Sequence, residues 1–474
     1  MKELIQYTLQ EHTEALRTGA YTSVELTRAY LDRIEKIDGK INAFVTVDAK
    51  GALEQAAESD ARRQRGETRS ALDGIPYAVK DNLCAKGMRT TCASHILENY
   101  VSPYDATAVS RLRSAGAVLV GKLNMDEFAM GSSGERSIFG AVSNPRDPDS
   151  ITGGSSSGSA AAVAALEIPF ALGSDTGGSV RQPAAFCGVL GLKPTYGAIS
   201  RYGLVGFAPS LDCVGILAQN SKDCQTVFNI LAGKDPHDPT SIDVIRKDFS
   251  LDRPLRIAVA EELLERGTVS SDVRGATKKA IETFRQAGAE IESISLPSPQ
   301  LALSAYCVLS AVEASSNLAR FDGIRYGTRS REVSDLYSLY ANSRSEGFGS
   351  EVKRRILFGT CMLTAERREI YLRRAQYARN QIRQAMEKAF ERFDLILTPT
   401  TPTGALKKGV KLSPEEQREA DLCAVYANLA GCPALSIPFG KNADGMPTGV
   451  QLTAAPCHEA LLLRAAELLE VAEK

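Results

Sequence analysis

Apolar residues recur along this chain in two ways, every three to four positions in some stretches and as short unbroken runs in others. The first spacing predicts helices and the second predicts buried strands. Helices are expected at 1–16, after a capping box at 22–25, and at 52–65, 106–114, 160–166, 271–287, much of 308–390 and 459–472. Strands are expected at 75–79, 117–121, 168–172, 255–260, 291–295, 393–397, 434–438 and 449–453. Residues 124–131 are interpreted as a turn into another helix. This alternation predicts an α/β fold with helices on both faces of a sheet.

The sequence also indicates how many domains the chain forms. A length of 474 residues would by itself allow two or three domains. No internal repeat and no low-complexity linker divides the chain. One large domain over 1–474 is therefore predicted, with a helical N-terminal part at about 1–65, a core at about 70–235 and a C-terminal part at about 250–474.

Two Gly/Ser clusters, 153–159 and 173–179, bracket a predicted helix and strand. A flexible linker would be rich in these residues but would lack the periodic apolar segment between them. A P-loop needs lysine after its second glycine; Gly153 and Gly158 have the spacing, but Ser159 stands at the lysine position. The glycine spacing of a dinucleotide-binding turn is absent. A serine hydroxyl beside converging backbone N–H groups, as in acyl transfer, is the interpretation that these residues favour.

Composition narrows the function classes. With 56 Lys and Arg against 57 Asp and Glu the net charge is −1, so no broad nucleic-acid surface is indicated, although a local patch is compatible with it. The first residues carry charges throughout and no apolar stretch approaches 18 residues, so neither secretion nor a membrane span is predicted. None of the ten cysteines forms Cys-x-x-Cys, which favours reduced thiols in the cytosol. The four histidines form no visible zinc cluster and none has the context of a Ser-His-Asp base.

The region of the two clusters resembles the amidase signature family. The resemblance rests on the spacing of Gly154, Ser155, Gly158, Asp175, Gly177, Ser179, Arg181 and Pro183. It implies the family's fold, a central mixed β-sheet covered by helices on both faces. It also implies that Ser179 is the nucleophile, that Ser155 relays protons and follows a cis peptide bond, and that Lys80, within 73–82, is the base. No metal is expected, since neither the cysteines nor the histidines form a metal-binding pattern.

The resemblance further implies an oxyanion hole in the turn before the nucleophile. The backbone N–H groups of Thr176, Gly177, Gly178 and Ser179 are expected to stabilise the tetrahedral intermediate.

Lys80 alone would be interpreted as a solvated charge at a strand end, paired with Asp81. A lysine base must be neutral, and its reference pKa is about 10.4. Burial beside hydroxyls without a carboxylate partner would lower that pKa. The catalytic interpretation therefore predicts that Asp81 points away from the Lys80 amine.

Within that family, nearly the whole chain is similar to the A subunits of glutamine-dependent amidotransferases. The matching segments are 189–197, 200–205, 317–323, 351–356 and 428–431. The resemblance implies that Arg355 holds the carboxylate of glutamine and Asp421 its ammonium, with Tyr306 nearby and Ser132, within 130–133, in the pocket. The alternative is that Arg355 and Asp421 are ordinary surface charges. Two stretches depart from the family's usual residues, Ile216 in 210–216 and the loop 134–138.

The resemblance also implies partners. The chain would hydrolyse glutamine to glutamate and pass ammonia to a B subunit that activates Glu-tRNA(Gln) or Asp-tRNA(Asn) with ATP and Mg²⁺. A small C subunit would complete a heterotrimer, tRNA would bind mainly through the partner, and this chain would need no cofactor. The location would be cytoplasmic, or an organellar matrix in a eukaryote. Two alternatives stay open, a free-standing amidase acting on another amide and a catalytically silent scaffold.

Overall fold

The structure is a computed structural model that describes residues 3–244, 253–410, 413, 416 and 419–473. Its strands are β1 (Phe44–Val47), β2 (Pro76–Lys80), β3 (Val118–Leu123), β4 (Ser143–Asn144), β5 (Asp147–Ile151), β6 (Phe170–Asp175), β7 (Leu190–Lys193), β8 (Cys213–Ala218), β9 (Arg256–Ala260), β10 (Glu290–Ile294), β11 (Leu395–Pro399), β12 (Ala434–Lys441) and β13 (Pro447–Ala454). Among these residues β4 and β5 form a separate ribbon, and the other eleven strands form one sheet.

The large sheet is mixed. Its order is β1-β3-β2-β6-β8-β7-β12-β13-β11-β9-β10. The strands β3, β2 and β6 are parallel, as are β11, β9 and β10. The remaining neighbours are antiparallel. The predicted mixed α/β sheet is confirmed, and β12 pairs with β13 in the antiparallel sense.

Helices surround this sheet. They are α1 (Leu9–Thr18), α2 (Ser23–Ile41), α3 (Ala49–Gln64), α4 (Thr107–Ser114), α5 (Ser157–Ala164), α6 (Arg181–Cys187), α7 (Ser221–Leu231), α8 (Glu261–Leu264), α9 (Ser271–Gln286), α10 (Pro299–Leu318), α11 (Leu336–Gly347), α12 (Ser350–Met362), α13 (Ala365–Arg367), α14 (Arg373–Phe390), α15 (Val425–Ala430) and α16 (Glu459–Ala472), with a π-helical turn at Arg368–Leu372. The predicted capping box is present at α2, where Thr22 and Glu25 each accept the other's backbone N–H.

Both faces of the sheet are covered, as predicted. Tyr77 and Val79 of β2 belong to one buried cluster and Ala78 to another, because successive strand residues point to opposite faces. The first cluster includes side chains of α1, α2, α4, α7, α9 and α16. On the other face α3, α5 and α6 pack near β2. At the far end of that face α10 and α14 pack against β9 and β11.

Helix α10 is the one described helix long and apolar enough to cross a membrane. Within the protein, 61% of its apolar window is buried. Leu309 is 5% exposed and Leu318 is fully covered, so α10 packs as a core helix.

Some predicted elements differ from the structure in type or in bounds. The helix expected within 124–131 is only a 3₁₀ turn, Glu127–Ala129, because the carboxylates of Asp126 and Glu127 bind backbone N–H groups of other segments. The strand expected at 168–172 is β6, which runs on to Asp175, so part of the second Gly/Ser cluster lies inside the sheet. The stretch 308–390 is largely helical, as predicted, with a break between α10 and α11.

Candidate active site

The amine of Lys80 lies at the end of β2 in a fully buried cluster of hydroxyls. Its Nζ is 2.7 Å from Ser155 Oγ, 3.0 Å from Ser156 Oγ and 3.0 Å from Ser174 Oγ. Ser156 follows Ser155 at the start of α5, and Ser174 belongs to β6, the strand next to β2 in the sheet. The base candidate at the end of β2 is thus in hydrogen-bond contact with Ser174 of the neighbouring strand and with the relay candidate Ser155, which lies just before α5.

Burial lowers the pKa of Lys80 to about 7, against the raising effect of the carboxylates of Asp126, Asp175 and Asp212. The nearby Asp81 is turned away, as predicted. Its carboxylate accepts hydrogen bonds from Lys122 Nζ at 2.9 Å and from the hydroxyl and N–H of Thr91 at 2.5 and 2.9 Å. Lys80 therefore has an environment in which a substantial fraction of its amine is neutral near pH 7.

The peptide bond Gly154–Ser155 is cis. Gly154 N–H donates to Gln182 Oε1 at 3.0 Å, and Asp126 N–H donates to the Ser155 carbonyl at 3.3 Å. A Cβ on Gly154 would lie 2.0 Å from Asp126 Oδ2, so only glycine fits there. These contacts fix Ser155 between β2 and α6.

Ser179 lies on the turn between β6 and α6, and a buried ion pair shapes that turn. Asp175 Oδ2 accepts Nε of Arg181 at 3.0 Å, and Oδ1 accepts its Nη2 at 2.9 Å. The same carboxylate accepts the N–H groups of Gly178 and Val180 at 2.9 and 3.1 Å. Burial acts to raise the pKa of Asp175, but Arg181, with Lys193 and Asn428, outweighs it and lowers that pKa. Gly178 has φ +126°, which favours glycine.

This geometry corrects one proposed oxyanion donor. The Gly178 N–H is already bound to Asp175 and is not free for a substrate. The N–H groups of Thr176, Gly177 and Ser179 donate no hydrogen bond to the described part of the chain. Three of the four predicted donors therefore stay free for a developing oxyanion.

Ser179 is 8% exposed, the only member of the predicted triad with any exposure, since Lys80 and Ser155 are fully covered. Among the described residues, Ser179 Oγ forms no hydrogen bond with Ser155 or Lys80. The structure thus joins Lys80 to Ser155 and leaves the Ser179 hydroxyl unengaged.

Asp175→Asn is expected to destabilise the fold by about 3–5 kcal/mol, because it leaves the buried Arg181 guanidinium without its counter-charge. Urea unfolding of the two proteins measures the loss. Replacing both partners, as Asp175→Asn with Arg181→Met, should restore part of the stability. A loss below about 1 kcal/mol for the single variant would contradict the assigned role of the pair.

A cavity of about 520 Å³ adjoins this turn, and all four predicted substrate residues line it: Ser132, Tyr306, Arg355 and Asp421. The Tyr306 ring connects the cavity to the turn, because a Cβ on Gly177 would lie 2.4 Å from its Cζ. The structure thus brings all four residues together in one cavity, and Tyr306 is the member shown in contact with the Ser179 turn.

The two charged members of this set are held differently. Arg355 donates from Nε to Glu351 at 2.8 Å, and its guanidinium lies 5.1 Å from the centre of the Phe207 ring. The guanidinium also hydrogen-bonds to the Tyr306 hydroxyl. A planar guanidinium held in this way, at the wall of the cavity, suits binding of a carboxylate. Burial raises the pKa of Asp421 to about 7, against the lowering effect of Arg355. A buried carboxylate of this kind gains most from a cationic ligand.

Sequence reasoning missed several residues of the site. Ser156 and Ser174 contact the lysine amine, and Glu351 and Phe207 hold the arginine, yet none stood out as chemistry-bearing. Across the described ranges no group of three His, Cys, Asp or Glu side chains is placed to hold a metal ion.

Comparison with known proteins agrees with this geometry. The model of the family described as Amidase matches residues 25–463. The chain belongs to the amidase family.

Other members of the amidase family resemble this chain over nearly its full length. It is 49% identical over 455 residues to the A subunit of glutamyl-tRNA(Gln) amidotransferase from Symbiobacterium thermophilum, covering 94% of this chain and 93% of the relative. The crystal structure of the Thermotoga maritima protein of that name has a TM-score of 0.81 and 36% identity, covering 99% and 95% of the two chains. The peptide amidase of Stenotrophomonas maltophilia has a TM-score of 0.83 and 29% identity, covering 99% and 97%.

Proposed function

We propose that this amidase is the glutamine-hydrolysing A subunit of a tRNA-dependent amidotransferase. Glutamine would be converted to glutamate, and the ammonia would serve the conversion of Glu-tRNA(Gln) or Asp-tRNA(Asn) to Gln-tRNA(Gln) or Asn-tRNA(Asn). The observation that carries the proposal is the Lys80 amine, buried without a carboxylate partner and 2.7 Å from Ser155 Oγ. Relatives bearing the subunit's name, at 49% identity, support the assignment.

In the proposed reaction, Ser179 Oγ attacks the side-chain amide carbon of glutamine. Its proton passes to Ser155 Oγ, whose own proton passes to the neutral Lys80 amine. The N–H groups of Thr176, Gly177 and Ser179 stabilise the oxyanion, and losing one such donor typically costs about 10²–10³ in rate. The proton returns through Ser155 to the leaving nitrogen, ammonia departs, and water hydrolyses the glutamyl ester by the same relay in reverse.

The cavity would orient glutamine through its two charges. The carboxylate would lie against the guanidinium of Arg355, and the ammonium against Asp421. Tyr306, in contact with the Ser179 turn, and Ser132 would line the path of the side chain to the nucleophile.

The remaining reaction would take place on partners. This chain would hold no cofactor and no metal of its own, and ATP and Mg²⁺ would bind a B subunit that activates the misacylated tRNA. A C subunit would complete a heterotrimer, and tRNA would bind mainly through the B subunit. The complex would act in the cytoplasm or, in a eukaryote, in an organellar matrix.

One experiment separates this proposal from a free-standing amidase, which the likeness to a peptide amidase favours. The isolated chain should hydrolyse glutamine poorly and gain activity when co-purified with B and C subunits. Robust turnover of simple aliphatic or aryl amides by the isolated chain would support the free-standing amidase instead. No labelling by a fluorophosphonate or a glutamine-analogue probe would support a silent scaffold.

On the acid side, the pH dependence of glutamine hydrolysis should report the titration of two groups. Lys80 must be neutral and Asp421 ionised, and burial places the pKa of each at about 7. Below that pH, log kcat/KM should fall with a slope approaching about 2, because both groups titrate in the free enzyme. Bound glutamine holds Asp421 ionised, so log kcat should fall with a slope of about 1.

Steady-state rates between about pH 5.5 and pH 9 measure both slopes. Asp421→Asn is the control, since it should bring the slope of log kcat/KM down to that of log kcat. An unchanged rate from alkaline solution down to about pH 5.5 would contradict the lysine base.

A further inference from the structure

Glu127 lies on the loop after β3, and its side chain is buried against the start of α12, the helix that carries Arg355. It is 7% exposed. Its two carboxylate oxygens each accept the backbone N–H of Gly349 at 3.0 Å, and Oε1 also accepts the hydroxyl of Ser94 at 2.5 Å. Gly349 is the N-cap residue of α12. One carboxylate thus joins three segments that are far apart in the chain.

The contact at Gly349 is close and favourable. A Cβ on Gly349 would lie 2.2 Å from Glu127 Oε2, so the approach requires glycine. The carboxylate lies at the N-terminus of a helix of 13 residues, where the helix dipole stabilises a negative charge. The next residue, Phe128, packs its ring 5.6 Å from that of Phe348, beside Gly349. Charge and packing therefore fix the first turn of α12 against this loop.

The loop and the helix each supply a wall of the same cavity. Ser132 and Arg136 lie on the loop, and Glu351 and Arg355 lie on the first two turns of α12. Arg136 Nη1 is 3.2 Å from Glu351 Oε2, and Glu351 in turn accepts Nε of Arg355 at 2.8 Å. Arg136 and Glu351 thus link the loop to α12 at a second point. The position of the Arg355 guanidinium depends on both contacts.

We propose that Glu127 is a positioning residue for substrate binding: by holding the start of α12 it places the Arg355 guanidinium opposite the substrate's carboxylate. It acts through α12 and does not touch the substrate. The inference rests on the proposed function, in which Arg355 binds the carboxylate of glutamine.

Glu127→Gln tests this in the assembled complex. The variant keeps the shape of the side chain but places an amide where a charged acceptor is needed. The KM for glutamine should rise about tenfold while kcat stays within about threefold, because only binding shared by ground and transition state is lost. With 4-aminobutanamide, which has the amide and amine of glutamine but no carboxylate, the KM should not change.

A double-mutant cycle with Arg355→Lys tests whether Glu127 affects the KM through Arg355. Because Glu127 acts through Arg355, the KM of the double variant should equal that of Arg355→Lys alone. Glu459→Gln is the matched control, since Glu459 is also buried and accepts a distant backbone N–H, that of Thr195 at 2.7 Å. It should lower the melting temperature without moving the KM. If Glu127→Gln does not fold, Ser94→Ala removes one of the same hydrogen bonds and should raise the KM less.

The outcomes distinguish the positioning role from the substrate site itself. If Arg355→Lys raises the glutamine KM and neither Glu127→Gln nor Ser94→Ala does, the positioning role is wrong and the proposed function stands. If the KM effects of Glu127→Gln and Arg355→Lys simply add, or 4-aminobutanamide is affected equally, the positioning role is also wrong. If Arg355→Lys leaves the glutamine KM unchanged, the proposed substrate site is wrong as well.

Discussion

Ser179→Ala is expected to lower kcat for glutamine hydrolysis by about 10⁶-fold, the size seen when the nucleophile of a hydrolytic triad is removed. Without the hydroxyl no acyl-enzyme forms, and the free N–H groups of the turn have no oxyanion to stabilise. The fold should be unaffected, because the Ser179 hydroxyl makes no hydrogen bond within the described residues and the change should stay within about 0.5 kcal/mol. Ammonia release by the complex and urea unfolding measure the two effects.

Ser157→Ala is the matched control for this variant. Ser157 belongs to the neighbouring Gly/Ser cluster, and its buried hydroxyl also has no hydrogen-bond partner among the described residues. The control should keep the rate of the unmodified enzyme. Activity within about tenfold of that rate in Ser179→Ala would show that another group is the nucleophile.

Lys80→Met is expected to lower kcat by about 10²–10⁴-fold, the usual contribution of a positioned general base. Methionine fills a similar volume without a titratable group, so Ser155 loses the acceptor for its proton. The loss in kcat is measured well above pH 7, where the rate of the unmodified enzyme no longer depends on pH.

The variant Lys80→Arg shows whether the reaction requires a base at this position or only a positive charge. Arginine keeps a positive charge and cannot lose its proton in a protein. It should be as inactive as Lys80→Met if the neutral amine is the working form. Substantial activity in Lys80→Arg would instead assign Lys80 an electrostatic role.

The local pattern was sufficient to predict most of the fold. The bounds of α16 were predicted to the residue, since its apolar spacing and both ends are local features. The capping box at Thr22 and Glu25 likewise involves only neighbours in sequence. The 3₁₀ turn at Glu127 was missed because its carboxylate binds Gly349, a partner that no local pattern indicates.

In the candidate site too, some features could be predicted from the sequence and others could not. Ser155 and Ser179 could be predicted from the signature spacing and Lys80 from the family resemblance of 73–82, and the turning away of Asp81 followed from the need for a neutral amine. The occupied N–H of Gly178 could not be predicted, because it depends on how the Asp175 carboxylate folds back over the turn.

Contacts between distant segments were beyond sequence reasoning for the same reason. Ser174 reaches Lys80 only because β2 and β6 are neighbours in the sheet. Phe207 contacts the Arg355 guanidinium from a loop far away in the chain, whereas Glu351 is the i,i+4 neighbour of Arg355 on α12, a pair that helical spacing indicates. Asp175 and Arg181 did carry a signal, since fixed charges in a turn of small residues indicate an ion pair that shapes it.

The central claim is that a neutral, buried lysine activates Ser179 to form a glutamyl ester. Acid quenching of the complex during glutamine turnover, followed by peptide mass spectrometry, tests it most directly. The account predicts a glutamyl adduct on the peptide that contains Ser179 in the unmodified enzyme, and none in Lys80→Met. An adduct on a cysteine, or turnover with no adduct on any residue, would contradict it.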